Sequence, residues 1–347
     1  MTELFAIGLG LSSYNTAGDV LETFYPTPLL GPDAAIGGAF LGGGADAADE
    51  PRDGVANVTP AHAASVAARL RDAGAENVAA TAARLAEADR PLTLTLLHRD
   101  RPIAHTAEAY LKLHLLSHRL TLPNSLDLEG LFAHLPTVAW TSAGPIDATE
   151  LPDRLLDARL RGERLQVDAL DKFPIMANYV MPAGVRIANT ARVRLGAYLG
   201  DGTTVMHEGQ VNFNSGALGP NMVEGRISQG VILGAHTDLG GGASTMGTLS
   251  GGGKEVVSLG ERCLVGANGG TGIPLGDRCT IEAGLYITAG TIVRLIDADG
   301  RPGERAKARE LAGQSDLLFI RHSASGEIQC RTNRSAIELN ETLHKHN

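Results

Sequence analysis

The residues that could do chemistry gather in the second half of the chain. Glu224 and Arg226 stand two apart in MVEGR. A carboxylate there can take up a proton or attack an acyl carbon, and the guanidinium can hold a carboxylate or a carbonyl oxygen. Further on, Arg301, Arg305, Lys307, Arg309, Arg321 and His322 make a basic cluster in a chain of net charge −9, a candidate site for phosphates. His207 and His236 are the only histidines among residues 184–294, which argues against the three-histidine zinc site of a metal-dependent hydratase. Cys263, Cys279 and Cys330 read as buried thiols rather than disulfides or a metal set. The segment GTLSGGGKE is not a phosphate loop, because Thr248 stands where its first Gly belongs and Glu255 where Ser or Thr must follow the lysine.

These residues are set on a repeat over residues 184–294. Ile187, Val193, Leu199 and Val205 are six apart, as are Ile227, Leu233 and Leu239, then Leu259 and Val265, then Leu275, Ile281, Ile287 and Val293. Six is the period of neither a helix nor a strand, but it suits a parallel β-helix whose three short faces each send one large residue inward. Glycine often follows the aliphatic residue, as at Gly200, Gly234, Gly240 and Gly266, which predicts a corner with positive φ. A small residue often stands two before it, as at Ala197, Thr203, Cys263 and Cys279. The phase breaks between Val205 and Ile227, Leu239 and Leu259, and Val265 and Leu275, which predicts three loops extruded from a rigid coil. Glu224 then falls at the exit of the first loop, where binding residues collect.

The remaining bounds come from length and composition. At 347 residues the chain suits two or three domains. Aromatic residues make up only 4%, which with the negative charge speaks against nucleic-acid binding. There is no apolar run of about 18 residues, and MTELFAIGLGLSS has no basic cluster, so neither a membrane span nor a secretion signal is expected and the protein reads as cytoplasmic.

Residues 1–165 read as an N-terminal α/β domain. The expected elements are a hairpin (5–12 and 20–25), helices at 60–72, 75–88 and 150–160, a helix over AEAYLKLHLLSHRL that Thr106 caps and that buries more than one stripe, strands at 91–98 and 165–170, and a mobile loop at 42–53. Residues 166–295 are assigned to the β-helix and 296–347 to a small C-terminal α+β segment, with a polar loop at 297–304, a short helix in AKARELAG and a strand pair at 316–323 and 327–331.

The segments DKFPIMANYVMPAGVRIA, GTTVMHEGQVNFNSG, NMVEGRISQGV, GGGASTMGTLSGGGKEVVSLGERCLVGANGG, IEAGLYITAGT and AKARELAGQSDLLFIRHS resemble the tetrahydrodipicolinate N-succinyltransferases, in their longer subtype. LKLHLLSHRL in the first region is similar as well. The resemblance implies a mainly β fold, a left-handed β-helix assembled as a homotrimer. It also implies transfer of succinyl from succinyl-CoA to tetrahydrodipicolinate in diaminopimelate and lysine synthesis, the partners being small molecules only. Residue by residue it makes Glu224 the catalytic group, either nucleophile or general base. It assigns acyl-CoA binding to Arg226, Gly241, Ser244, Ala267, Glu282, Ala283, Gly290, Lys307, Ile320, Arg321, His322 and Ser323. Ile320 stands where the family has a more basic residue. Glu208 matches a residue that binds magnesium near the subunit contact, yet Ala191 replaces the aspartate expected with it. The alternatives are another hexapeptide-repeat acyl-CoA transferase, a γ-carbonic-anhydrase-like metal lyase, and a non-catalytic β-helix scaffold.

Overall fold

The structure is a computed structural model and describes residues 4–41, 54–250 and 255–332; the loop expected at 42–53 and the Lys254 of the phosphate-loop lookalike lie outside the described residues. The chain divides into two compact units. One holds the described residues up to Thr121 with Ser125–Pro174 and Asn178–Val180, and the other holds Leu122–Asn124, Ile175–Ala177 and the described residues from Met181 on.

In the first unit, an antiparallel sheet runs in the order Val20–Phe24, Ala6–Tyr14, Leu92–Leu97, Gly54–Val58. The expected hairpin is there, and its Gly8 and Gly10 serve close packing. A Cβ on Gly8 would stand 2.5 Å from the ring of Tyr25, and one on Gly10 would stand 2.2 Å from the carbonyl oxygen of Phe24. Every side chain of Leu92–Leu97 is buried, so both faces of the sheet are covered. Leu92, Leu94 and Leu96 meet the helices Ala34–Phe40, Pro60–Asp72 and Glu76–Leu85. On the other face Thr95 bonds Tyr25, whose hydroxyl also donates to the carbonyl of Ala107 in the helix Thr106–Ser117. That helix is buried from Ala107 to Ser117, as its apolar run predicts. The cap differs from expectation, since it is His105 Nδ1 that accepts from the amide of Ala107. Its buried charges are paired: Lys112 with Asp100 at 2.6 Å, and Glu108 with Arg101 at 2.7 Å.

The sequence places the domain boundary at 165/166. In the structure Val167–Asp171 pairs with Val138–Thr141 in a second antiparallel sheet, and this pairing keeps the chain in the first unit to Pro174.

The second unit is a parallel β-helix of three sheets. The first face stacks Arg186–Ile187, Thr203–Val205, Asn221–Val223, Asp238–Leu239, Leu264–Val265 and Thr280–Ile281. The second stacks Gln210–Val211, Arg226–Ile227, Ser244–Thr245, Gly270–Thr271 and Tyr286–Ile287. The third stacks Ala197–Leu199, Ser215–Ala217, Ile232–Leu233 and Ser258–Leu259. The last residue of each of these strands from Val205 onward is the inward one, and all are 3% exposed or less.

Two of the three extruded loops are not extruded. Val211, Ala217 and Val223 keep the six-residue step from Val205, so residues 206–222 are ordinary coil; only the corner from Val223 to Ile227 is shortened, by two residues. Likewise Thr271 continues the step from Val265, and the shortening falls between Thr271 and Leu275. In both Thr245 and Thr271 a hydroxyl stands in the inward slot, its oxygen bonded to a backbone carbonyl, Arg226 and Ile273 respectively. One insertion remains, residues 246–257, whose described ends meet at an antiparallel bridge between Thr248 and Val256.

The corner glycines also have a different cause from the one expected. Gly200, Gly234, Gly240 and Gly266 do not take positive φ; a Cβ on Gly266 would stand 2.5 Å from the amide nitrogen of Ala283 in the next coil, so these glycines permit close stacking. Positive φ falls at the third residue after the inward one, and is taken there by His236, Arg262 and Arg278 as well as by glycine.

The short helix expected in AKARELAG is strand to Lys307 and then one 3-10 turn, Ala308–Leu311. The strand Leu317–Arg321 adds to the first face, with Phe319 over Ile281, and the Arg278–Asp316 pair at 2.6 Å fixes its start.

Candidate active site

The corner between the first and second faces carries most of the residues singled out above. Glu224 directly follows the inward Val223, and the parallel register sets Gly240, Gly266, Glu282 and Ile320 at the same place in the following coils. The next position holds Gly241, Ala267, Ala283 and Arg321. Glu224 donates its amide to Leu239 O, Glu282 donates to Phe319 O, and Arg321 donates to Oε2 of Glu282 at 2.6 Å. Coils stack about 4.8 Å apart, so Glu224 and Glu282, three coils apart, are separated by roughly 14 Å along this edge. A long thin ligand could run beside it against glycine and alanine backbone.

Glu224 is half-buried, and Oε2 lies 3.7 Å from where a Cβ on Gly241 would stand, so bare backbone leaves room in front of the carboxylate. It has no cation partner among the described residues. Arg226 does not pair with it; its Nη2 donates to Ser244 Oγ at 3.1 Å. A shortened corner joins these two positions. With two residues fewer than its neighbours, it places the last residue of one face and the first of the next only Glu224 and Gly225 apart.

Gly290 and Lys307 lie elsewhere. Gly290 is in the corner that leaves the second face, and Lys307 pairs with Ile292 just beyond it. His322 and Ser323 follow Arg321 into a turn, where His322 Nδ1 meets Ser325 Oγ. The basic cluster is thinner than its composition suggests: Arg301 pairs with Asp299, and Arg305 and Arg294 share Glu327. Lys307 and Arg309 keep no carboxylate partner among the described residues, and the Arg321 guanidinium donates to Gly326 O.

Glu208 sits one coil before Glu224, exposed. The Arg192 guanidinium reaches its backbone oxygen at 3.0 Å, and Ala191 is exposed on the turn Thr190–Arg192. One carboxylate beside a cation is a poor donor set for magnesium, which takes near-octahedral oxygen ligands. Among the described residues no three His, Cys, Asp or Glu side chains gather to hold a metal. Cys263, Cys279 and Cys330 are free and buried. The contact with Cys279, then burial, pushes the Cys263 thiol up.

Two features escaped the sequence reading. Tyr286 lies on the second face beside Ser244, its hydroxyl 3.2 Å from Oγ; its place directly before the inward Ile287 marks it as outward-facing. Ser250, on the insertion, accepts from the amide of Ala289 at 2.6 Å, a contact with no local signal.

A β-helix of six-residue faces with a free carboxylate and a guanidinium on one edge has the form of a hexapeptide-repeat acyltransferase, and residues 256–289 match the family described as "Hexapeptide repeat of succinyl-transferase". Residues 135–174 match "Tetrahydrodipicolinate N-succinyltransferase middle". Over 99% of both chains it is 55% identical to the 2,3,4,5-tetrahydropyridine-2,6-dicarboxylate N-succinyltransferase of Pseudomonas putida. With the proteins of that name from Pseudomonas aeruginosa and Vibrio cholerae the identities are 54% and 52%, also over 99% of each. The crystal structure of a Campylobacter jejuni protein described as a 2,3,4,5-tetrahydropyridine-2-carboxylate N-succinyltransferase superposes with a TM-score of 0.85 at 30% identity, covering 97% of this chain and 94% of that one. The chain belongs to the tetrahydrodipicolinate N-succinyltransferase family.

Proposed function

We infer that this protein transfers the succinyl group of succinyl-CoA to tetrahydrodipicolinate, giving N-succinyl-2-amino-6-oxopimelate and coenzyme A, a step of diaminopimelate and lysine biosynthesis. The observation that carries the site is Glu224: a carboxylate without a cation partner among the described residues, held over bare backbone beside Arg226. A thioester and the ring-opened amine of the acceptor meet there. As a nucleophile, Glu224 attacks the thioester carbon and expels the coenzyme A thiolate; the amine then attacks the resulting anhydride and frees the carboxylate. As a general base, it instead takes the proton of the amine during direct attack. In both, Arg226 and Ser244 are assigned to the acyl-CoA site, where the guanidinium can hold a carboxylate or a carbonyl oxygen.

Acyl-CoA binding is assigned along the edge from Gly241 through Ala267, Glu282 and Ala283 to Ile320, Arg321, His322 and Ser323. Gly290 and Lys307 take part from the far side of the second face, with Lys307 and Arg321 meeting phosphates. We assign the same chain a left-handed coil, a homotrimeric assembly and a cytoplasmic location. The handedness and the assembly follow the family resemblance; among the described residues no helix is long and apolar enough to cross a membrane. A trimer would bring Glu208 together with its copies, but among the described residues one chain does not make a magnesium site.

The test is release of free thiol from succinyl-CoA by the purified protein on addition of tetrahydrodipicolinate. Turnover that needs both substrates supports the reading, and no thiol release from a folded protein would end it.

A further inference from the structure

At successive levels of the second face, the outward positions are Arg226, Ser244, Gly270 and Tyr286. Each precedes an inward residue, so these side chains share the outer surface. Arg226 Nη2 donates to Ser244 Oγ at 3.1 Å, and that oxygen lies 3.2 Å from the hydroxyl of Tyr286. Ser244 and Tyr286 are two levels apart. They meet because the phenol ring lies back over Gly270, where a Cβ would stand 2.2 Å from Cε2 of the tyrosine.

Arg226 is exposed and has no carboxylate partner among the described residues. One of its N–H groups is spent on Ser244, and four remain for a ligand. A free arginine arm loses rotamer freedom on binding; an arm already tethered loses less. Ser244 can tether it only while its own hydroxyl is fixed, and the contact with Tyr286 fixes it whichever oxygen donates.

We propose that Tyr286 is a positioning residue: through Ser244 it holds the Arg226 guanidinium as a fixed fork for a substrate carboxylate. The proposal rests on the site reading above. Both substrates offer that chemistry, the donor in the free carboxylate of its succinyl group and the acceptor in its two carboxylates. No bond to Tyr286 forms or breaks.

Tyr286→Phe keeps the ring over Gly270 and removes only the hydroxyl. The measurements are the Kd of succinyl-CoA and of acetyl-CoA by calorimetry, and KM of the acceptor and kcat by thiol release. Whichever substrate Arg226 holds should bind about tenfold more weakly, with kcat within about threefold of wild type. If the carboxylate is that of the succinyl group, succinyl-CoA weakens and acetyl-CoA does not; if it belongs to the acceptor, only the KM of the acceptor rises. Ser244→Ala should give the same loss, and the double variant no more than either single one. Equal weakening of both acyl-CoAs, a fall in kcat alone, or no change in any of the four overturns the proposal. Arg226→Ala separates the two levels of inference: if it weakens binding while Tyr286→Phe does not, only the role of Tyr286 falls, and if neither does, the site reading falls too.

Discussion

The backbone amide of Arg321 donates to the carboxylate of Glu282 across 2.6 Å, which ties the C-terminal strand to the corner row that includes Glu224. A carboxylate acceptor makes this a charge-assisted bond. Replacing Glu282 by Ala should free the strand end and raise the KM for succinyl-CoA, while kcat stays near wild type. Arg321→Ala should raise the same KM by about tenfold or more, the worth of one charged hydrogen bond. Steady-state kinetics at varied succinyl-CoA decide it, and an unchanged KM in both variants removes the C-terminal strand from the donor site.

Phe319 is fully buried against Ile281 at the end of the first face. Cutting the chain after Gly303 would therefore uncover Ile281 and the strand Ile292–Ile296 along with the basic residues. Deleting a buried phenylalanine alone costs about 3–5 kcal/mol. We expect such a truncation to melt well below the full chain, so a loss of activity in it would say nothing about phosphates. Thermal unfolding of Phe319→Ala, with a marked fall in Tm, checks the capping role without removing Lys307 or Arg321.

The coil was legible in the sequence because thirteen aliphatic residues hold its phase. What hid the rest was the identity of a few inward residues. Ala217, Thr245 and Thr271 fill inward slots with small or hydroxylated side chains, so an aliphatic count loses the phase there and reads a coil as a loop. Following Val211 and Val223 would have recovered it. The corner glycines misled for another reason: glycine answers equally to positive φ and to close backbone approach, and only the stacked coils tell which. Glu224 and Arg226 stand out by residue type and spacing and Ser244 by resemblance, and the register sets Arg226 beside Ser244. Tyr286 was missed because its partner is 42 residues away across two coils.

Gly270 tests the same surface by steric means. A Cβ there would stand 2.2 Å from the ring of Tyr286 and 2.6 Å from the carbonyl oxygen of Ser244. Backbone cannot yield as a flexible side chain can, so Gly270→Ala should destabilise by about 1–3 kcal/mol and displace the ring. Urea unfolding should show the loss, and succinyl-CoA affinity should fall at least as far as in Tyr286→Phe. Wild-type stability and affinity in this variant would show that the ring is not held over Gly270.

His114 gives the first unit a pH dependence. It is fully buried, its Nδ1 bonds Tyr110 O at 2.7 Å and its Nε2 accepts from the amide of Tyr25 at 3.3 Å, which fixes the neutral tautomer protonated on Nδ1. Burial pushes its pKa down from 6.5 to about 3. Between those values the unfolded chain binds a proton that the folded chain refuses, so stability is whole above about pH 6.5 and is lost as the pH falls toward 3. The shift corresponds to an upper figure on the order of 5 kcal/mol. His114→Gln should be less stable at pH 7 yet show a shallower acid limb. Urea midpoints from pH 7 to pH 4 measure both, and an unchanged acid limb would rule out His114 as its source.

Glu224 decides the chemistry. Gln keeps its size and can still lie over Gly241, but it can neither attack an acyl carbon nor accept a proton. Arg226 is bonded to Ser244 rather than to Glu224, so no ion pair is broken by the change and Tm should hold. With the carboxylate as nucleophile or base, Glu224→Gln should lower kcat by about 10²-fold to 10⁴-fold while the Kd of succinyl-CoA hardly moves. The two roles then part in a single-turnover experiment without acceptor. A nucleophile lets wild type release thiol and retain a labelled succinyl group on Glu224, found by mass after rapid quench, whereas a base leaves the chain unlabelled and the thioester intact. A kcat within about threefold of wild type, far short of general acid–base catalysis, would end the case for Glu224 in either role.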